Sequence, residues 1–296
     1  LPEDLQSFIR WYETYRYRKT GPRPSPVTVA NKLGLLTSLQ RQVFPRTLPE
    51  LATDRALLLS TIGKLSASMT TGSVRNILYA LQDYGTYATE VLDAGPCVLL
   101  PSDFPPKNPP PAISVYSDGE VERLVWAAYG TDKRFGMLVD FLAHTGRRVG
   151  EVLKLEWAGA RLEADPPYWE LPMTKNGQPQ YIPLGEHLAY TVFSAANIEQ
   201  LKAGRSASGH SFTGDPLVRP FPWSYSTVHG RFGRLCRNVG VDNRGFHNFR
   251  HTVITQRLAA GVPIQAVAAL AGHSSVATTD RRYNHTTALS YAQFVK

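Results

Sequence analysis

Four short stretches of this 296-residue chain gather side chains able to handle a phosphate or a proton. Thr145-Gly146-Arg147-Arg148-Val149-Gly150-Glu151 reads as a turn entering a helix, where Arg148 and Glu151, three apart, share a face and can pair. Thr174-Lys175-Asn176-Gly177 reads as a hairpin tip, and a lysine carried there reaches well away from its sheet. A helix over Gly245-Phe246-His247-Asn248-Phe249-Arg250-His251-Thr252 would place His247, Arg250 and His251 on one side. Two histidines four apart could hold zinc. The helical metalloprotease pattern, however, needs Glu where Asn248 stands, and no carboxylate or cysteine follows at ligand spacing. Arginine and histidine together are better matched to a phosphate, to which both give charge-assisted hydrogen bonds. The fourth stretch runs from Leu270-Ala271-Gly272-His273 to Thr278-Thr279-Asp280-Arg281-Arg282-Tyr283. Its two arginines would lower the pKa of the tyrosine and attract an anion. Taken singly, each stretch has a plainer use: a surface ion pair, a solvated lysine, a packed tyrosine.

In this order and at these separations, the four stretches resemble the tyrosine recombinase (phage integrase) family. The family's Thr-Gly-x-Arg-x-x-Glu is matched by Thr145 to Glu151, its hairpin lysine by Lys175, and its His-x-x-Arg-His by His247 to His251. Its Gly-His is matched by Gly272-His273 and its nucleophile by Tyr283. The resemblance is strong over residues 114 to 290 and looser over the helical region before them. One spacing departs from the pattern: Tyr283 lies ten residues after His273, where the family usually has nine. Tyr291 is therefore a second, poorer candidate, since it lacks the preceding Thr-Thr-x-Arg context. Arg147 is an additional arginine, and Arg148 holds the family's position relative to Gly146 and Glu151.

The resemblance implies DNA strand cleavage and rejoining through a 3′-phosphotyrosyl link at Tyr283, for a phage or mobile element. Two fixed guanidinium groups, Arg148 and Arg250, would meet the charge that grows on the phosphate, with His273 adding a hydrogen bond. His247 would accept or position the phenolic proton, and Lys175 would protonate the departing 5′-oxygen. Glu151 and His251 would support these groups. Arg16, Arg18, Lys19, Arg147, Arg281 and Arg282 are the candidate DNA contacts. No metal, nucleotide or other cofactor is implied. The implied partners are double-stranded DNA with specific core sites and a homotetramer on it, with room for an accessory DNA-bending protein or directionality factor. The residues after Tyr283, including Leu289, Tyr291 and Phe294, could dock on a neighbouring protomer or pack on their own chain. With no separate arm-type DNA-binding domain visible in the sequence, the expectation is either a compact recombinase or a trimmed integrase. Two other readings share the residues: a type IB topoisomerase, and a catalytically inactive family member that only binds DNA.

The elements that must position these groups are mainly helical with one small antiparallel sheet. Residues 1–95 read as several helices: Leu5, Phe8, Ile9 and Tyr12 recur at helical spacing, as do Val29, Leu33, Leu36 and Leu39 over Val27 to Val43. A short helix is expected near Asp54 to Leu65, and a longer one after Gly72-Ser73. Seven prolines then crowd into residues 96–111, a stretch fit only for an extended connector. The expected organisation is therefore a helical core-DNA-binding domain over 1–95, a proline-rich linker over 96–113, and a mixed α+β catalytic domain over 114–296. Ser117 with Glu120 makes a capping box that opens the second domain. Leu155-Glu156-Trp157, Tyr168 to Leu171 and Gln180 to Pro183 read as its strands, and from Tyr225 onward the pattern is helical.

Composition narrows the setting. The net charge is +8, of which the first 105 residues carry +2 and the remainder +6, favouring a polyanionic partner. No apolar run is long enough to span a membrane, and Leu1 to Arg10 does not read as a signal peptide. Cys97 and Cys236 lie far apart, outside any metal-ligand spacing, which suggests a reducing, cytoplasmic setting without a structural disulfide.

Overall fold

Capping chemistry sets most of the helix boundaries in the computed structural model, which describes residues 3–20, 23–107, 109, 112–171, 180–203, 212, 214, 215, 217–272 and 277. The chain divides into two compact units, residues 1–111 and 112–296.

Among its described residues the first unit holds five α-helices: α1 (Glu3–Thr20), α2 (Pro26–Val43), α3 (Leu48–Thr53), α4 (Arg55–Ser68) and α5 (Thr71–Glu90). Ser25, Thr47, Asp54 and Thr70 cap α2 to α5 with side-chain oxygens that accept the orphan N–H groups of each first turn. Leu36, Leu39, Leu51, Ile77, Leu81 and Tyr84 form the core, with Leu5, Phe8 and Tyr12 of α1 packed into it. The aromatics of α1 are used for packing: Phe8 lies 5.4 Å from Tyr84 and 5.5 Å from Tyr87, and Trp11 stacks on Tyr15 at 4.4 Å. The proline-rich stretch starts out bound to this unit. Val98 N–H donates to the Ala52 carbonyl, and Arg55 grips Asp103 with both guanidinium nitrogens, at 2.5 and 2.6 Å. Phe104 rests on Tyr79 at 4.8 Å.

The second unit begins its helices with the expected capping box. Ser117 Oγ accepts from Glu120 N, and Glu120 returns a bond to Ser117 N, opening α6 (Asp118–Thr131). Asp132 then ends α6 and caps α7 (Lys133–Thr145). The short α8 (Val149–Val152) follows, then three strands in the order β1 (Ala160–Arg161), β2 (Tyr168–Leu171) and β3 (Gln180–Pro183), all antiparallel. Leu155 to Trp157, expected as a strand, is irregular chain entering a 3-10 segment at Trp157–Gly159, and the first strand comes later. The reason is tertiary: Trp157 N–H donates to the Val218 carbonyl and the Glu156 carbonyl accepts from Trp169 Nε1, so neither group joins the ladder. Trp169 and Ile182 pair in register and face the core, which also takes Phe141, Phe193 and Phe221. A π-helical segment (His187–Val192), α9 (Ala195–Ala203), α10 (Tyr225–Asn238), α11 (His247–Ala259) and α12 (Ile264–Ala271) complete the unit. Both cysteines are free, and burial pushes the Cys236 thiol up to about 11. Among the described residues, no helix is long and apolar enough to cross a membrane.

The box at α6 yields a pH prediction. Glu120 accepts from Ser117 N at 2.8 Å and from Arg244 Nη1 at 2.9 Å on each oxygen. The Ser117 N–H holds its carboxyl below the usual carboxylate range, and Arg244 adds to this against the opposing effect of burial. A depressed folded pKa contributes stability that is present above the unfolded value, near ~4.3, and lost as pH falls through the folded one. Glu120→Gln is therefore expected to lower the urea midpoint at pH 7 and to shrink its drop between pH 7 and about pH 3.5. An unchanged pH dependence in the variant would assign the acid sensitivity to other carboxylates.

Candidate active site

The turn after α7 sends two consecutive arginines in opposite directions. The helix ends at Gly146, whose φ of 65° is left-handed and whose N–H closes on the Leu142 carbonyl. A β-carbon there would sit 3.1 Å from Val253 Cβ and 3.6 Å from Arg250 Cα, so the glycine also lets α11 come close. Arg147 then points inward and is 1% exposed, donating from Nη1 to Gln180 Oε1 at 2.7 Å and from Nη2 to the Tyr181 carbonyl at 3.0 Å. Arg148, at the N-cap of α8, points outward with its side chain 46% exposed. Its Nη1 donates to Glu151 Oε1 at 2.7 Å, as their spacing predicted, and reaches the Gly272 carbonyl at 3.4 Å.

Helix α11 supplies the second half. His247 stands exposed at its first turn, while Arg250 and His251 are buried on the same side, and the two imidazoles lie 4.7 Å apart. Arg250 Nη1 donates to the Gly146 carbonyl at 3.3 Å and to the Ala271 carbonyl. Helix α12 ends on Gly272, again left-handed with φ 69°. A β-carbon at Gly272 would fall 2.3 Å from Arg147 Nη1 and 2.9 Å from Gln180 Oε1. All three arginines thus converge on the Ala271-Gly272 turn: Arg250 on one carbonyl, Arg148 on the next, Arg147 packed beneath. His273 is the following residue in the chain.

The electrostatics are lopsided. Burial pushes the Arg147 pKa down, Glu151 pulls it up, and Arg148 and Arg257 push it down further. Arginine nevertheless stays protonated across the physiological range. Among the described residues, the guanidinium groups of Arg147, Arg148, Arg250 and Arg257 share this region with the Glu151 carboxylate. An exposed Arg148 beside a buried, oriented Arg250 is a ready receptor for a phosphate.

This placement corrects one expectation. Arg147 had been grouped with the DNA-contacting residues, but its guanidinium is enclosed and committed to the sheet, and it serves to brace the turn. The expected Lys175, His273, Tyr283, Arg281, Arg282 and Tyr291 lie outside the described residues. Arg16, Arg18 and Lys19 fall on α1, with side chains also outside them. Leu171 pairs with Gln180, the residue that holds Arg147. His247 and His251 belong to no group of three metal-ligand side chains among the described residues. Sequence reading missed Gln180 and Arg257, whose Nη2 donates to the His144 carbonyl at 3.2 Å. The glycines at 146 and 272, read in the sequence as parts of two motifs, are the local signal for the close packing found here.

The pattern of the phage integrase family matches residues 116–289. A XerC-like tyrosine recombinase of Caldanaerobacter subterraneus subsp. tengcongensis is 25% identical over 244 residues, 69% of this chain and 60% of that protein. The tyrosine recombinase XerD of Halalkalibacterium halodurans is 27% identical over 203 residues, 66% of this chain and 64% of that protein. The chain thus spans less than two thirds of the length of either relative. Among solved structures, a lambda integrase tetramer bound to a Holliday junction superposes with a TM-score of 0.67 at 16% identity, covering 93% of this chain and 76% of that one. At that identity, what the two share is the fold.

Proposed function

The chain belongs to the phage integrase family, and from this premise we propose that it is a site-specific DNA recombinase serving a phage or mobile element. The observation that carries the proposal is the convergence of Arg148 and Arg250 on the carbonyls around Gly272, one guanidinium exposed and the other locked. A scissile phosphodiester seated against Arg148 and Arg250 would have its non-bridging oxygens neutralised as charge builds on them. The Tyr283 phenolic oxygen attacks phosphorus, and its proton passes to His247 or to water that His247 orients. The P–O5′ bond breaks as the P–O bond to tyrosine forms, and Lys175 gives the departing 5′-oxygen its proton. His273 donates to a non-bridging oxygen. The 3′-phosphotyrosyl link conserves the bond energy, so attack by a 5′-hydroxyl from a second duplex rejoins the strands without a cofactor. Glu151 orients Arg148, and His251, buried beneath His247, supports its position.

In this reading, residues 1–95 grip the duplex as a core-binding domain, 96–113 connect, and 114–296 carry the chemistry. Four protomers assemble on two core sites, and accessory bending or directionality proteins are further partners. The test is a nicked suicide duplex taken from DNA flanking the encoding gene, run with the protein and with Tyr283→Phe on a denaturing gel. A covalent protein–DNA band is expected for the parent protein and not for the variant. Retained DNA binding with no band from either would instead support the binding-only reading.

A further inference from the structure

A second constellation lies on α7 and the segment after β3, apart from the residues assigned to strand transfer. Asp140 and His144 are four apart on this helix and share a face. His187, which opens the π-helical segment, reaches the same spot. Asp140 is 1% exposed, with Oδ1 2.8 Å from His144 Nδ1 and Oδ2 3.0 Å from His187 Nε2. The Tyr129 hydroxyl donates to Asp140 Oδ2 at 2.9 Å. The two imidazole rings are 4.7 Å apart, and one ligand atom from each of the three residues lies within 4.8 Å of the others. Both imidazoles are about half exposed, at 49% and 47%, and all three residues line a cavity of about 630 Å³ open to solvent.

We propose that Asp140, His144 and His187 form a binding site for a divalent transition-metal ion of the zinc type. Two imidazole nitrogens and one carboxylate oxygen form a borderline donor set. It suits Zn²⁺, Co²⁺, Ni²⁺ or Cu²⁺, whereas Mg²⁺ and Ca²⁺ take oxygen ligands in greater number. Tetrahedral bonds of about 2.0–2.1 Å place ligand atoms roughly 3.3 Å apart. With Oδ1 as the carboxylate oxygen, the observed separations of 2.8 Å to His144 Nδ1 and 3.1 Å to His187 Nε2 need to open by only a few tenths of an ångström to admit the ion. Tyr129 would then orient the carboxylate from behind, the kind of supporting hydrogen bond that metal ligands usually have. The fourth coordination position faces the cavity, where water can fill it.

The site ties α7 to the segment following β3. It does so one residue before Thr145, at the base of the turn that presents Arg147 and Arg148. Its role is a clamp on that base, and it takes no part in strand transfer. An ion that binds the folded chain alone stabilises it by mass action.

Co²⁺ is the probe, added to the metal-free full chain. Expected results are a visible d–d absorption saturating at one equivalent, its displacement by Zn²⁺, and a rise in melting temperature that EDTA reverses. His187→Ala, at a half-exposed position, should weaken Co²⁺ binding at least about a hundredfold. Its melting temperature without metal should stay near that of the parent, and His187→Gln serves if the alanine variant does not fold. His247→Ala should leave the absorption unchanged. No saturable band at one equivalent, or a band that survives His187→Ala and is lost in His247→Ala, overturns the assignment.

Discussion

Arg148→Ala and Arg250→Ala will lose DNA cleavage to a similar degree and part company in stability. Each removes one guanidinium from the proposed phosphate receptor, and loss of a single such donor costs about 10²–10³ in rate. Their structural roles differ. The Arg148 side chain is 46% exposed, and its pair with Glu151 is the partly solvated kind, worth roughly 0–1 kcal/mol. Arg250 is 2% exposed and satisfies the Gly146 and Ala271 carbonyls. Its removal strands two acceptors in the interior, at about 1–3 kcal/mol for each buried polar group left unpaired. Arg148→Ala should therefore unfold in urea close to the parent, and Arg250→Ala at a clearly lower midpoint. Arg250→Lys keeps the charge but not the planar fork, and should recover little of either property. Single-turnover cleavage rates set beside the urea midpoints decide the matter. Parent-like cleavage by Arg148→Ala would remove that side chain from the site.

Gly272→Ala is expected to damage both stability and cleavage. It pays twice: a left-handed φ costs a non-glycine residue roughly 1–2 kcal/mol, and the new methyl meets Arg147 Nη1 at 2.3 Å. Arg147 cannot swing away, because it is buried and held by Gln180 and Tyr181. Overpacking of this kind adds about 1–3 kcal/mol. The displaced turn would also carry off the carbonyls that Arg148 and Arg250 engage, so cleavage should fall with stability. Gly240→Ala is the internal control: its φ of 63° is similar, and a β-carbon there has nothing within 4 Å. It should pay the backbone cost alone and keep cleavage. Equal destabilisation by the two variants would mean that the contact between Gly272 and Arg147 carries no weight.

Local signals account for what the sequence made legible. The Ser117–Glu120 box, the paired strands Tyr168–Leu171 and Gln180–Pro183, and the Arg148–Glu151 pair all arise between residues close in the chain, where spacing fixes geometry. Helix α3 was not read from the sequence, although Thr47 and Glu50 form a second capping box with Pro49 in its first turn. The spacing to Glu151 marked Arg148, but the burial of Arg147 had no local signal. The groups that hold Arg147 in the interior, Gln180 and the Tyr181 carbonyl, lie 33 and 34 residues away. The Asp140–His144–His187 group escaped notice for the same reason: the i, i+4 pair was visible in sequence, but the approach of His187 across 47 residues was not. Family resemblance supplied roles for Lys175, His273 and Tyr283, which fall outside the described residues and so rest on the motifs alone.

The most direct test of the central claim is to identify the residue that carries the DNA. The covalent complex trapped on the suicide duplex would be digested with protease and nuclease, and the modified peptide sequenced by mass spectrometry. The account predicts a phosphonucleotide on Tyr283, joined through the 3′ end, despite the extra residue between His273 and Tyr283. A modification on Tyr291, or on any side chain other than Tyr283, would contradict it.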